Sequence, residues 1–333
     1  SSGALRLAVA ALLRLGTGAR DEQGRLDLGG AVLDLEGGVF SVSAAVHIPP
    51  GYANFRVQRG SLVARANFSA AVGGPYLLKV GDAAACRSSS GGAHNKNCNM
   101  DVSISEITLD CAGVPAAWGG LLVEDAMDVN VGPSILVVGF AGVGISLSGS
   151  GAGFIHEAWL GQYPPGSATP RDDATATAIL LDSYEHDCDV NNVIVWSGKV
   201  GVNSTNGANR LQGVHTWNLA GAQGGTGIRL HSGKGRVQQC YLDFAPLVVG
   251  VNGSDVAPPN RWPASLAMIE GNLFLGTAAL VLEADKAEAA VRGLVFTGNN
   301  FPSSHGVNRT VVLDETRGAF TGVYDTVFEN NAV

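Results

Sequence analysis

Ala178-Ile179-Leu180-Leu181-Asp182, Gly201-Val202-Asn203-Ser204-Thr205, Gly227-Ile228-Arg229-Leu230-His231 and Val249-Gly250-Val251-Asn252-Gly253 repeat one phrase, four or five apolar or small residues closed by a polar or turn residue. The phrases follow one another at about 22 to 26 residues, the period of a solenoid. A second phrase runs out of step with the first: Val193-Ile194-Val195-Trp196, Leu273-Phe274-Leu275 and Asn300-Phe301, preceded by Asn192, Asn272 and Asn299. Three short strands per turn, no room for helices between them and asparagines at the corners predict an all-β chain, a right-handed parallel β-helix. Such strands cannot bury an apolar side alone; stacked at roughly 4.8 Å they build one continuous core and pair every backbone group with the coils above and below. Asparagine tolerates the left-handed conformation of a tight corner and can hydrogen-bond in ladders along the axis. Asn192, Asn272, Asn299, Asn300, Asn330 and Asn331 are therefore read as structural.

Composition sets bounds on this reading. The 333 residues are 46% hydrophobic and only 15% charged, with 46 glycines, which suits closely stacked strands with tight corners. One repeat class covers most of the chain, so residues 1–333 are expected to form one elongated domain. A net charge of −8 argues against nucleic acid or an anionic membrane as partner, because neither gains counterion release from an acidic surface. No apolar run approaches the roughly 20 residues needed to cross a bilayer. Arg6 and Arg14 spoil the apolar core of a signal peptide in residues 4–15, so any secretion signal is expected to have been removed. Leu5, Val9, Leu12 and Leu13 fall instead on one helical face, predicting a helix within residues 1–20 that caps the first coil.

Residues 26–68 read as the first, less regular coils, broken by Gly29-Gly30, Gly37-Gly38 and Pro49-Pro50-Gly51. A looped excursion is expected near 75–99, with regular coils from Met100 onward. Further insertions fall near 162–173 and 253–263; solenoid insertions collect on the working face, so both are candidate walls of a groove. Cys86 and Cys98 bracket a Ser/Gly-rich loop that a disulfide would close, while Cys111, Cys188 and Cys240 are expected to give one more bridge and one buried thiol. Cysteines together with Asn-X-Ser/Thr sequons at Asn67, Asn203, Asn252 and Asn308 predict a secreted glycoprotein. Glycan is expected on Asn67, Asn252 or Asn308; one on Asn203 would crowd the polar strip described next.

Strand alternation names the outward positions. With Ile179, Leu181, Val202, Ser204, Ile228 and Leu230 inward, Asp182, Asn203, Thr205, Arg229 and His231 point outward from consecutive coils. Just beyond lies the densest ionisable cluster of the chain, Glu185-His186-Asp187-Cys188-Asp189, and two coils later a basic knot of Arg229, His231, Lys234 and Arg236. Carboxylates beside cations suit cleavage of an acidic polysaccharide. An inverting glycosidase holds its acid and base roughly 6.5 to 9.5 Å apart, close to two stacked strands. Arginine and lysine would bind substrate carboxylates.

The opening coils, Gly30-Ala31-Val32-Leu33-Asp34 through Ile48-Pro49-Pro50-Gly51 and Gly60-Ser61-Leu62-Val63-Ala64, resemble those of pectate-lyase-like superfamily proteins. Residues 185–196 with Gly213-Val214-His215-Thr216-Trp217-Asn218 resemble plant Quartet-type polygalacturonases, a divergent branch of the family 28 glycoside hydrolases. The resemblance implies inverting hydrolysis of α-1,4-galacturonan. That family carries Asn-Thr-Asp, Asp-Asp, His-Gly and Arg-Ile-Lys motifs, and this chain departs from all four. Asp172-Asp173 sits in the proline-rich insertion, and Ser304-His305-Gly306 lies too late to follow it by one coil.

By role, then, Asp182, Glu185, Asp187 and Asp189 are the candidate catalytic carboxylates, and His186, His215, Arg229, His231 and Lys234 the candidate substrate binders. The expected protein is a secreted, monomeric cell-wall hydrolase of pectin that needs no cofactor and no metal. Two alternatives stand beside it: a pectate or pectin lyase on the same fold, and a catalytically silent pectin-binding protein.

Overall fold

The computed structural model describes the chain apart from residues 1, 17, 72, 90–97, 150, 164–174, 183–186, 206–207, 218–224, 232–234, 252–266, 285–288, 303–310, 325 and 333. Its described strands form a sixteen-stranded sheet, a ten-stranded sheet and a two-stranded sheet, with parallel pairing between coils. The architecture is a right-handed parallel β-helix. In the ten-stranded sheet, Leu78, Leu121, Ile145, Ile179, Val202 and Ile228 stand in one register column, each fully buried. Because strand side chains alternate, this column fixes every outward neighbour as well. Truncating one of these residues to alanine costs about 2–5 kcal/mol.

The sixteen-stranded sheet bends into two faces at a left-handed corner, held by one residue in most coils and by Gly132 and Ser134 in the coil of residues 126–138. Arg59 (φ 59°), Glu106 (52°), Glu157 (50°), Asn192 (52°), Gly213 (62°), Gln239 (54°), Gly271 (65°), Gly298 (64°) and Asn330 (54°) occupy this corner. Backbone bonds tie the corners together, such as Gly213 N–H to Gln238 O (3.1 Å) and Gln239 N–H to Glu270 O (3.0 Å). Of the expected corner asparagines, Asn192 and Asn330 hold the left-handed position itself. Asn272, Asn299 and Asn331 sit one residue further on and form an interior ladder. Asn272 Nδ2 donates to Asn299 Oδ1 (2.9 Å), and Asn299 Nδ2 donates to Asn331 Oδ1 (3.1 Å). Their amides also donate to Val237 O, Ile269 O and Phe296 O, while Asn272 Oδ1 accepts the Cys240 N–H (2.8 Å). Buried amides are tolerated because their hydrogen bonds are made.

A helix, α1 (Ser2–Leu12), packs Leu5, Val9 and Leu12 against the strands Leu26–Asp34, Val39–Val42 and Val46–Ile48. It is shorter than the 1–20 segment expected. Tyr76–Val80 is already a strand of the ten-stranded sheet, so the excursion begins only at Gly81; it carries a second helix, α2 (Ala83–Ser89). A disulfide joins Cys86 to Cys98 with the Cα atoms 5.8 Å apart. The second bridge expected among Cys111, Cys188 and Cys240 is not formed: all three are buried thiols outside any disulfide. They stand at different corners of the coil, after Asn99–Asp110, before Asp189–Trp196 and before Tyr241–Asp243. Burial pushes the Cys111 and Cys240 thiols up to about 12.

Candidate functional site

The outer side of the ten-stranded sheet carries two adjacent columns of ionisable groups in register. One column runs Lys79, Leu122, Ser146, Leu180, Asn203, Arg229. Beside it a second column closes each strand: Glu124, Ser148 and Asp182, then Thr205 and His231, whose N–H groups bond Leu181 O (3.0 Å) and Ser204 O (2.9 Å), then Glu283 and Asp314. Asp182, Asn203, Thr205, Arg229 and His231 therefore lie on one face, and cross-coil bonds link them. The Thr205 hydroxyl lies 3.1 Å from Leu181 O and 3.3 Å from Asp182 Oδ1 and donates between them. His231 Nε2 lies 2.9 Å from Asn203 Oδ1. The Arg229 guanidinium is bonded to the Glu283 carboxylate, which Arg317 also approaches at 3.2 Å.

Further residues that sequence reasoning did not nominate complete the face. Lys79 Nζ is 2.9 Å from Glu124 and 3.4 Å from Asp82. Burial alone would lower the Lys79 pKa, but the bonded Glu124 and the nearby Asp82 outweigh it and push Lys79 up. Tyr76 is 5% exposed; burial pushes its phenol up, its bond to Ser146 opposes this, and the charges of Glu124 and Asp182 add to the rise. The Tyr76 ring lies across Gly119, where an added Cβ would meet Tyr76 Cε1 at 2.3 Å. Trp118, 40% exposed, meets that ring edge-on at 5.6 Å and lies in turn across Gly142. A signal for the acids was present in the sequence: Glu124, Asp182, Glu283 and Asp314 each end the same short apolar phrase.

The other nominated residues do not join this face. Asp187 is an exposed corner residue with φ of 61°, and Asp189 starts a strand of the sixteen-stranded sheet. Asp189 is committed to the Arg210 guanidinium, whose Nε donates to it at 3.0 Å and whose pKa is pushed up by that bond. Asp182 ends a strand of the ten-stranded sheet, whereas Asp187 and Asp189 lie beyond the next corner of the same coil and are not in its column. His215 and Arg236 also lie on the sixteen-stranded sheet. His215 Nε2 is 3.3 Å from Asp243 Oδ2, and its ring stacks on Tyr241 at 4.4 Å. Glu185, His186, Lys234, Asp172, Asp173, His305, Trp262, Asn252 and Asn308 lie outside the described residues. Asn67 is exposed in a turn. Among the described residues no group of three or more His, Cys, Asp or Glu could hold a metal ion, and no helix is long and apolar enough to cross a membrane.

Comparison with known proteins bears out the resemblance read from the sequence. The chain is 27% identical over 317 residues to Polygalacturonase QRT3 of Arabidopsis thaliana, an alignment that covers 93% of this chain and 60% of that protein. It therefore spans about 60% of the length of the curated relative it matches. No family model matches. Among solved structures, a double mutant of the tailspike protein of E. coli bacteriophage HK620 superposes with a TM-score of 0.53 at 11% identity, covering 98% of this chain and 67% of that one. A further mutant of that tailspike gives the same TM-score and identity over 99% of this chain and 53% of its own. At such identity the likeness is one of fold.

Proposed function

We propose that the chain is a glycoside hydrolase of acidic pectic polysaccharide and that it works on the outer side of the ten-stranded sheet. The observation that carries the reading is the stacking of Glu124, Ser148 and Asp182 in one column. Two coils span roughly 9.5 Å, at the upper end of the separation that leaves room for a water between the carboxyl groups of an inverting enzyme. Asp182, bonded by the Thr205 hydroxyl, protonates the leaving glycosidic oxygen as the bond to the anomeric carbon breaks. Glu124, paired with the Lys79 ammonium, takes the proton of the water that attacks that carbon from the opposite face. The cations of Lys79 and Arg229 stand one column away, where uronate carboxylates would pair with them. Trp118 offers a ring face to a sugar at the edge of the sheet. Similarity to a polygalacturonase supports the substrate class, and the sequons and the Cys86–Cys98 disulfide support secretion to the cell wall.

The test is a reducing-end assay on polygalacturonate. Release of saturated ends by the wild type, lost in Asp182→Asn and Glu124→Gln, is the expected result. Ends that absorb in the ultraviolet, as β-elimination leaves them, would make the protein a lyase. Binding without release, where a reference hydrolase is active, would make it a silent binder.

A further inference from the structure

The face of the sixteen-stranded sheet beyond the left-handed corner carries an aromatic band that the proposed reaction does not use. Its outer side presents two register columns, Trp159–Ile194–His215–Tyr241 and Gly161–Trp196–Trp217–Asp243. Trp159 and Trp217 are 54% and 44% exposed. Trp196 meets Trp159 edge-on at 6.2 Å and lies flat across Gly161, where an added Cβ would come within 2.1 Å of its ring. His215 and Tyr241 stack one coil apart at 4.4 Å with planes 3° from parallel. Five rings thus pave four consecutive coils. Leaving two indoles in water is unfavourable, and a continuous exposed patch of this kind marks a binding surface.

The charges around the rings select the occupant. Followed along the axis from Val39 and Ser41 to Leu273 and Leu275, the two columns contain no lysine or arginine; their ionisable groups, the Tyr241 phenol aside, are Asp110, Asp243 and His215, whose Nε2 already faces the Asp243 carboxylate at 3.3 Å. Among the described residues of these columns a uronate chain would find no lysine or arginine, its one histidine is taken by Asp243, and the Asp243 carboxylate would repel it. A neutral chain meets no such penalty. Pyranose rings whose substituents are all equatorial present flat C–H faces that stack on indole, and β-linked glucans and xylans have such rings. Trp159 and Trp217 stand two coils apart, roughly 9.5 Å along the axis and close to the length of a disaccharide.

We infer that this face is a second glycan-binding surface, which takes a neutral β-linked polysaccharide chain with its sugar rings stacked on Trp159 and Trp217. It is independent of the proposed hydrolysis, and its effect is to hold the protein on a neutral glycan while the ionisable face meets the acidic one.

Electrophoresis of the full chain through gels containing hydroxyethylcellulose, together with indole fluorescence titration by cellohexaose, tests it. The wild type should be retarded and its fluorescence should shift. The double variant Trp159→Ala/Trp217→Ala should lose at least tenfold in affinity while its circular dichroism, unfolding midpoint and activity on polygalacturonate stay at wild-type values. If the double variant misfolds, the single variant Trp217→Ser must show the loss instead. An unretarded wild type would overturn the inference, and so would a folded double variant retarded as strongly as the wild type. A wild-type dimer that the double variant converts to monomer would also overturn it, because the band would then be an interface between copies of this chain.

Discussion

The ionisable face and the aromatic face stand on the same coils, yet they treat their outward side chains in opposite ways. On the ten-stranded sheet, Lys79 is paired with Glu124, and Arg229 with Glu283, so each cation arrives already matched with an acid. On the aromatic face the rings match one another, Trp159 with Trp196 and His215 with Tyr241. The first arrangement suits proton transfer and a charged ligand; the second suits a ligand that offers only C–H surface. A solenoid permits this because its core fixes the inward residue of each pair and leaves the outward one free to vary.

The largest effect that separates the faces is chemical. Asp182→Asn should lose about 10²-fold or more in turnover on polygalacturonate, the usual loss when a proton-transfer group is removed, while binding to neutral glucan is unchanged. Steady-state kinetics beside gel retardation measure both; an active Asp182→Asn enzyme would move the chemistry off this face. Next in size is a change that should strike the two faces together. Asn299→Leu strips partners from the Asn272 and Asn331 amides in the interior, at about 2–3 kcal/mol as read by urea unfolding. Loss of one face alone in that variant would show that the faces fold separately.

Alkaline pH should sharpen the contrast. The pKa values of Lys79 and Tyr76 are raised above their unfolded values, and Cys111 and Cys240 are raised from 9.0 to about 12. In that window the folded chain keeps protons that the unfolded chain releases. Stability is therefore full below about pH 9 and falls as pH climbs toward about 12. Urea midpoints across that range should decline, less steeply in Tyr76→Phe and with unchanged slope in Trp217→Ser. The smallest effect is ionic. Arg229→Ala should raise KM for polygalacturonate by roughly threefold to tenfold at low salt and less at high salt, where attraction is screened. Retention on neutral glucan should ignore salt throughout.

How much of this was legible beforehand follows from what repeats. The period of the apolar phrases disclosed the β-helix, the inward column around Ile179, Val202 and Ile228, and the outward strip from Asp182 to His231. The capping face of Leu5, Val9 and Leu12 was equally open to reading. These are local matters, since alternation along a strand and the helical period are set by neighbouring residues.

Which coils stack on which, and which face a residue occupies beyond a corner, depends on insertions and on single left-handed residues, and only the tertiary structure decides them. Asp187 and Asp189 are near Asp182 in sequence, but Asp189 opens a strand of the other sheet, where it pairs with Arg210, and Asp187 stands at the corner before it. Glu124 is far from Asp182 in sequence, and stacking brings it into the same column. The aromatic band is hidden in the same way: Trp159, Trp196 and Trp217 are scattered along the chain until the coil, whose cross-strand hydrogen bonds fix the register, sets them side by side. Sequence alone determined the period and the core of this protein; register, which is a property of paired strands and of no single strand, determined its surfaces.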